Sequence, residues 1–148
     1  MGNIISVFIF VYPVLMSIMW MCGAVFYWYW FEKDGSDPAR PPVLKEFPKI
    51  ALIVPCYNEE QDAEDTVENL LKQDYPNFEV IAINDGSKDR TGEILDRLVE
   101  KHPNLRVIHQ AKNQGKAMGL RMAALCTDAE YLMCIDGDAL LAPDACIW

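Results

Sequence analysis

Hydrophobic residues are distributed unevenly along the chain, and their pattern changes near residue 32. Residues 4–31 include no charged side chain. From Ile50 onward, short apolar runs alternate with stretches in which apolar residues recur every three or four positions. The short runs are typical of strands buried on both faces, and the periodic stretches are typical of amphipathic helices.

This alternation predicts four strands and three helices after residue 49. The predicted strands are 50–54 (ended by Pro55), 78–83, 105–109 and 131–135. The predicted helices are marked by Ala63, Val67, Leu70 and Leu71, then by Ile94, Leu95, Leu98 and Val99, and then by Ala117, Leu120, Ala124 and Leu125. Asp62 is a candidate cap for the first of them. Strands alternating with helices predict an α/β fold with a parallel sheet and right-handed crossover helices.

The uncharged stretch 4–31 is predicted to be a transmembrane helix. About 20 helical residues cross a bilayer core of ~30 Å, and the aromatic residues 26–31 suit the headgroup level. A cleaved signal peptide is the alternative, but no Lys or Arg precedes the run and bulky aromatics occupy its end. Basic residues follow the run, so the positive-inside rule places the rest of the chain in the cytoplasm. We expect an anchor at 1–31, a linker rich in Pro at 32–49 and a soluble domain at 50–148.

The charge balance narrows the class of partner. The net charge is −9, whereas a nucleic-acid-binding protein needs a cationic face to neutralise phosphates. The composition therefore argues against nucleic acid as a partner. It leaves open a small phosphorylated ligand held through a metal ion.

Polar residues follow each predicted strand. Because ligands bind at the carboxyl ends of parallel strands, these segments are the candidate site. They are Pro-Cys-Tyr-Asn-Glu-Glu at 55–60, Asn-Asp-Gly-Ser-Lys-Asp at 84–89, Asn-Gln-Gly-Lys-Ala at 113–117 and Asp-Gly-Asp at 136–138.

Carboxylates dominate the chemistry of these segments. Asp136 and Asp138 are hard oxygen ligands suited to Mg²⁺ or Mn²⁺, with phosphates completing the coordination shell. A turn rich in Asp and Gly is the alternative, and the apolar strand before it favours the metal. Asp85 can accept an N–H from a pyrimidine ring, or it can belong to a turn that caps the next helix. Lys116 lies at a helix start, where a cation is unfavourable, which indicates an anionic partner; a solvated lysine is the alternative.

Taken together, the four segments resemble those of family 2 glycosyltransferases of the GT-A fold. Within that family, the order and the residues of the four segments are similar to those of the processive inner-membrane synthases of bacterial poly-β-1,6-N-acetyl-D-glucosamine, a biofilm exopolysaccharide. The resemblance implies the nucleotide-binding half of a Rossmann-like GT-A domain. It also implies an inverting hexosyltransferase (EC 2.4.1.-) that transfers N-acetylglucosamine from UDP-N-acetylglucosamine to a growing chain.

The resemblance also implies roles for residues and partners. Asp85 would bind uracil, Asp136 the ribose or diphosphate region, and Asp138 the metal, Mg²⁺ or Mn²⁺, with Asp136 beside it. The remaining nucleotide-sugar contacts would be Pro55, Tyr57, Glu59 and Lys116. The implied partners are a polysaccharide acceptor, the bacterial inner membrane, an accessory membrane subunit and cyclic di-GMP.

The sequence departs from the family pattern beyond the fourth strand. Family members carry an acceptor half with a Thr-Glu-Asp-like motif that supplies the general base and a Gln-x-x-Arg-Trp motif, and neither is present in these 148 residues. We therefore expect no catalytic base here and a portion that binds nucleotide without turnover. The alternatives are a chitin-, hyaluronan- or cellulose-like synthase and a membrane-tethered nucleotide-binding module. A haloacid-dehalogenase-type phosphatase is disfavoured, because its Asp pair follows the first strand.

Overall fold

The computed structural model describes residues 2–33 and 43–148. The chain divides into two compact units, Met1–Pro41 and Pro42–Trp148. The predicted linker 32–49 falls partly on residues 34–42, which lie outside the described residues. Within the second unit, residues 47 and 48 contact the folded domain, since Tyr75 Oη donates to the Pro48 carbonyl at 2.7 Å and Asn77 Nδ2 donates to the Phe47 carbonyl at 2.9 Å.

The described part of the first unit is one long apolar helix. Helix α1 spans Gly2–Tyr27 and passes into a π-helical turn at Trp28–Glu32. Within the segment Val7–Glu32, an 18-residue window has a mean hydropathy of 2.0 and contains no buried residue, so the segment has the length and composition to cross a membrane. The helix continues through Pro13, whose carbonyl accepts a 2.8 Å hydrogen bond from Ser17 Oγ.

The second unit is a parallel four-stranded sheet with crossover helices, as the alternating pattern predicts. The elements are β1 Ile50–Cys56, α2 Ala63–Leu70, β2 Phe78–Asn84, α3 Thr91–Lys101, β3 Leu105–His109, α4 Lys116–Leu125, β4 Tyr131–Cys134 and a 3₁₀ turn at Ala145–Ile147. The order of the sheet is β3-β2-β1-β4. All three strand pairs are parallel.

The two central strands carry the core. Successive side chains of a strand point to opposite faces, so β1 and β2 supply both layers. On one face Leu52 and Val54 pack in a cluster with residues of α2 and α3 such as Val67 and Leu95. On the other face Ile53 packs with residues that include Ala123 of α4. This arrangement holds the carboxyl ends of β1 and β2 in a fixed relation to each other.

The first strand does not end at Pro55, as the sequence pattern suggested, but runs through Cys56. Cys56 directs its carbonyl to β2, where it accepts from the Asp85 N–H at 3.0 Å. The backbone N–H and C=O groups of successive strand residues point to opposite neighbouring strands, so the backbone of Pro55 faces β4. Pairing with β4 stops at Ile53, and the missing N–H of Pro55 therefore interrupts no ladder.

The fourth strand is not the buried strand that its apolar sequence suggested. Tyr131 and Leu132 are exposed, and Met133 is half-buried, because β4 pairs only with β1 among the described strands. Helix α4 is similarly open. Its buried residues are Gly119 and Ala123, whereas Leu125 of the predicted apolar stripe is 75% exposed.

Candidate functional site

The loops that follow the four strands border one cavity of about 380 Å³. All seven residues predicted as nucleotide-sugar or metal contacts border it. They are Pro55, Tyr57, Glu59, Asp85, Lys116, Asp136 and Asp138. Asp85 and the Asp-Gly-Asp segment therefore meet at one place, which is the spatial condition that a shared ligand requires.

A second cleft of about 440 Å³ lies elsewhere, between α2 and α3. It is lined by Glu64, Arg90, Glu93, Ile94 and Arg97. Four of these residues lie on α2 or α3 and Arg90 directly precedes α3, and Arg97 pairs with Glu64 across the cleft at 3.4 Å. The cavity at the strand ends is the candidate site, because parallel sheets bind ligands there.

The loop after β1 presents alternate side chains to the cavity. Tyr57 and Glu59 border it, whereas Asn58 does not. Asn58 has φ 56°, a left-handed conformation that Asn tolerates better than most residues. Asp62 occupies the N-cap position of α2 but makes no side-chain capping bond. Instead, the Glu59 carbonyl accepts from the Asp62 and Ala63 amides.

Asp85 is a buried carboxylate at the floor of the site. Only 4% of the residue is exposed. Its two oxygens accept backbone N–H groups of the next loop, from Gln114 at 2.8 Å and from Gly115 at 3.0 Å. A carboxylate has about four acceptor positions, so these bonds leave capacity for a further N–H donor. Asp85 therefore joins the loop after β2 to the loop after β3.

Gly86 brings the same two loops into direct contact. Its φ is +66°, and a Cβ at this position would lie 2.5 Å from the backbone of Lys112 and Asn113. Only glycine permits both this conformation and this approach. The Asp85–Gly86 pair is thus fixed by packing as well as by hydrogen bonds.

Lys116 and Asp136 form an ion pair across the mouth of the cavity. The hydrogen bond to the Asp136 carboxylate is the main cause that raises the pKa of the Lys116 ammonium. In the protein alone, Asp136 is therefore an anionic partner of Lys116. Both side chains remain more than half exposed, so a ligand can reach them.

The Asp-Gly-Asp segment is held from below. Gly137 is buried, and a Cβ there would lie 3.1 Å from the Pro55 carbonyl and 3.5 Å from Glu59 Cγ. Thr66 of α2 donates to the Gly137 carbonyl at 2.8 Å. This anchoring leaves Asp136 and Asp138 exposed on either side of Gly137.

The donor set at Asp136 and Asp138 fits a hard divalent cation. Across residues 2–33 and 43–148, no group of three or more His, Cys, Asp or Glu side chains is arranged to hold a metal by itself. A cation bound here would depend on one or two carboxylates and on ligand phosphates, which is how proteins commonly bind Mg²⁺.

Burial and acidic neighbours perturb two groups at the cavity. Burial, followed by the charge of Asp138, raises the pKa of the Glu59 carboxyl. Burial and the charge of Glu59 raise the pKa of the Cys56 thiol to about 12. The Cys56 thiol is therefore protonated and unreactive, and Glu59 experiences the negative potential that a cation would relieve.

Comparison with known proteins identifies the family. The profile of "Glycosyl transferase family 2" matches residues 51–147. The chain belongs to glycosyltransferase family 2. Poly-beta-1,6-N-acetyl-D-glucosamine synthase of Staphylococcus aureus (strain COL) is 35% identical over 139 residues, which is 93% of this chain and 34% of that protein. The same enzyme of Staphylococcus epidermidis is 34% identical over 142 residues, with the same coverage. The chain thus spans about a third of the length of these relatives.

Solved structures agree on the fold of this glycosyltransferase domain. Mannosyltransferase PcManGT from Pyrobaculum calidifontis, in complex with GDP-Man and Mn²⁺, matches with a TM-score of 0.66 and 28% identity over 88% of this chain and 39% of that chain. S. aureus TarS 1–349 in complex with UDP-GlcNAc matches with a TM-score of 0.56 and 31% identity over 64% of this chain and 28% of that one. The GT-A fold expected from the motifs is confirmed.

Several residues of the candidate site were not singled out from the sequence. Cys56, Asn113 and Gly115 also border the cavity. All three belong to the strand-end segments, and that position was the signal that could have identified them. Thr66 carried no such signal, because its partner Gly137 is 71 residues away and the helical pattern drew attention only to apolar positions.

Proposed function

We propose that this chain forms the donor-binding portion of an inverting, metal-dependent glycosyltransferase that transfers N-acetylglucosamine from UDP-N-acetylglucosamine to a growing poly-β-1,6-N-acetylglucosamine chain. The observation that carries the proposal is the convergence of four strand-end loops on one cavity. The S. aureus and S. epidermidis relatives support the product, and the TarS complex supports the donor.

In the proposed site, different residues contact different parts of the donor. Asp85, buried and already aligned by two backbone amides, accepts the N–H of the uracil ring. Tyr57, Glu59 and the backbone at Pro55 line the uridine pocket. Asp136 and Lys116 contact the ribose and diphosphate region.

Asp138, with Asp136, would hold Mg²⁺ or Mn²⁺. The cation would stabilise the negative charge that develops on the diphosphate leaving group. Lys116 is paired with Asp136 in the protein alone, and its cationic head is exposed enough to turn toward a phosphate instead. An inverting transfer also needs a base beside the acceptor hydroxyl, and none of the residues at this cavity is assigned that role. We propose that residues 1–148 alone bind donor without turnover.

The organisation of the chain follows from the same proposal. Residues 1–31 anchor it in the bacterial inner membrane, residues 32–49 link the anchor to the domain, and residues 50–148 bind the donor in the cytoplasm. By resemblance to the family's processive synthases, an accessory membrane subunit and cyclic di-GMP are the proposed regulatory partners, and the polysaccharide is the acceptor.

Titration calorimetry on the full 148-residue chain in detergent micelles tests the proposal. UDP should bind in the presence of Mn²⁺ or Mg²⁺, and chelation of the metal should weaken binding by about tenfold or more. GDP is the control nucleotide, because the PcManGT neighbour is in complex with GDP-Man. Equal affinity for UDP and GDP, or no binding of either, would contradict the proposal.

A further inference from the structure

Three consecutive backbone amides of the loop after β1 each donate to a side chain of the loop after β2 or of Thr91, the first residue of α3. The Asn58 N–H donates to Ser87 Oγ at 3.1 Å, the Glu59 N–H to Thr91 Oγ1 at 2.9 Å, and the Glu60 N–H to Asp89 Oδ2 at 3.1 Å. Loop amides ordinarily bond to water, so three in succession bonded to protein side chains indicate a loop held in one conformation.

The bonding is reciprocal. The Lys88 N–H donates to Asn58 Oδ1 at 2.9 Å, and the Arg90 N–H donates to Glu60 Oε2 at 3.2 Å. Five hydrogen bonds therefore join residues 58–60 to residues 87–91. We call this set of bonds the loop clasp.

Thr91 and Asp89 form the inner part of the loop clasp. Thr91 is fully buried. Its hydroxyl accepts from the Glu59 amide and donates to Asp89 Oδ1 at 2.6 Å, and its own N–H donates to the same oxygen at 3.0 Å. Burial alone would raise the pKa of Asp89, but the bonds from Thr91 and Glu60 outweigh it and the pKa lies below its usual value. Asp89 is thus an ionised acceptor joined to three donors.

The loop clasp lies behind the residues that face the cavity. The side chains of Asn58 and Glu60 accept hydrogen bonds of the loop clasp. The alternate residues Tyr57 and Glu59 border the cavity instead. We propose that Thr91 and Asp89 are positioning residues for the donor: they hold the backbone of residues 58–60 so that Tyr57 and Glu59 form the wall of the nucleotide pocket. This inference rests on the proposed function.

Capping of α3 is the simpler role for the same residues. Asp89 accepts the first amide of that helix, and loss of a cap destabilises a protein without altering a distant ligand site. A capping role affects only stability. A positioning role also affects the UDP affinity of protein that is still fully folded. The UDP affinity of a folded variant therefore distinguishes the two roles.

The test compares Thr91→Val with Thr91→Ser in the full chain in detergent micelles. Valine keeps the volume and removes the hydroxyl, whereas serine keeps the hydroxyl and is the matched control. Calorimetry with UDP and Mn²⁺, well below both melting temperatures, should show about tenfold weaker binding for Thr91→Val and a change of less than about twofold for Thr91→Ser. Wild-type affinity in folded Thr91→Val, or an equal loss in both variants, would overturn the inference.

Amide hydrogen exchange without ligand separates this inference from the proposed function. In Thr91→Val the Glu59 and Glu60 amides should exchange about tenfold faster than in Thr91→Ser, because their acceptors are lost or displaced. Unchanged exchange would show that the loop clasp does not hold the loop. If the wild-type chain does not bind UDP, the proposed function fails and the donor role with it, whatever the exchange rates show.

Discussion

The two sides of the candidate site differ in how firmly the protein holds them. On the closed side, formed by the loops after β1, β2 and β3, Asp85 is 4% exposed and both of its oxygens accept backbone amides. On the open side, formed by Lys116 and the Asp-Gly-Asp segment, the Lys116 and Asp136 side chains are 54% and 65% exposed. The protein alone thus fixes the groups proposed for the nucleoside and leaves exposed those proposed for metal and diphosphate.

This difference has a physical reason. A neutral ring is recognised by a few aligned hydrogen bonds, and aligning them in advance lowers the entropic cost of binding. A divalent cation brings its own charge and water, and carboxylates that await it repel each other if they are buried without it. Preorganisation therefore suits the closed side, and exposure suits the open side.

The largest expected effect comes from separating the two loops of the closed side. Gly86→Ala adds backbone strain and a Cβ that would lie 2.5 Å from backbone atoms of residues 112–113, so it should lower the free energy of unfolding by about 2–5 kcal/mol. Gly115→Ala is the matched control, because φ is +87° but no atom lies within 4 Å of the added Cβ. Strain alone should cost about 1–3 kcal/mol there. Urea denaturation measures both, and a smaller loss for Gly86→Ala would contradict the packing described.

Removing the buried carboxylate should have the next largest effect. Asp85→Ala leaves the Gln114 amide without its acceptor and the Gly115 amide with Asn113 Oδ1 alone, so UDP affinity should fall by about 30- to 100-fold, and the preference for UDP over ADP should shrink. Asp85→Asn retains one acceptor oxygen and should lose less. Competition calorimetry with UDP and ADP measures both. An unchanged preference in Asp85→Ala would remove this side chain from the base pocket.

A substitution on the open side should lower UDP affinity without lowering the free energy of unfolding. Asp138→Asn should weaken metal-dependent UDP binding about tenfold, with little effect on metal-free binding. Because the side chain is exposed, the free energy of unfolding should change by less than about 0.5 kcal/mol. The measurement is calorimetry with Mn²⁺ and with chelator. Equal losses in the two conditions would argue against a metal ligand.

The smallest effect concerns Glu59, which borders both sides. Burial and Asp138 raise its pKa, so its ionised form costs stability at neutral pH, and that cost disappears as the pH falls through the raised value. Glu59→Gln should therefore raise the melting temperature slightly at pH 7, by an amount equivalent to at most about 0.5 kcal/mol, and the gain should vanish near pH 4. A gain that grew as the pH fell would contradict this reading. Melting curves across pH 4–8 measure it.

The sequence predicted the two central strands better than the edge strand β4, for reasons visible in particular residues. Uninterrupted apolar runs indicated β1 and β2. Because the carboxyl ends of parallel strands lie at the same edge of a sheet, the polar residues that follow these strands were expected to lie close together. The apolar sequence of β4 looked equally buried, but burial depends on which strands flank it, and β4 has β1 alone among the described strands. The Thr66 bond to Gly137 and the loop clasp join residues about 30 to 70 positions apart, and local sequence patterns do not indicate such contacts.

One measurement tests the central claim that the four strand-end loops form one UDP site. Amide hydrogen exchange of the full chain, compared with and without UDP and Mn²⁺, should show added protection in segments 55–60, 85–88, 113–116 and 136–138 together, with the smallest protection before ligand at 136–138. Protection confined to the cleft of Arg90 and Arg97, or absent from 136–138 when metal and UDP are both bound, would contradict it.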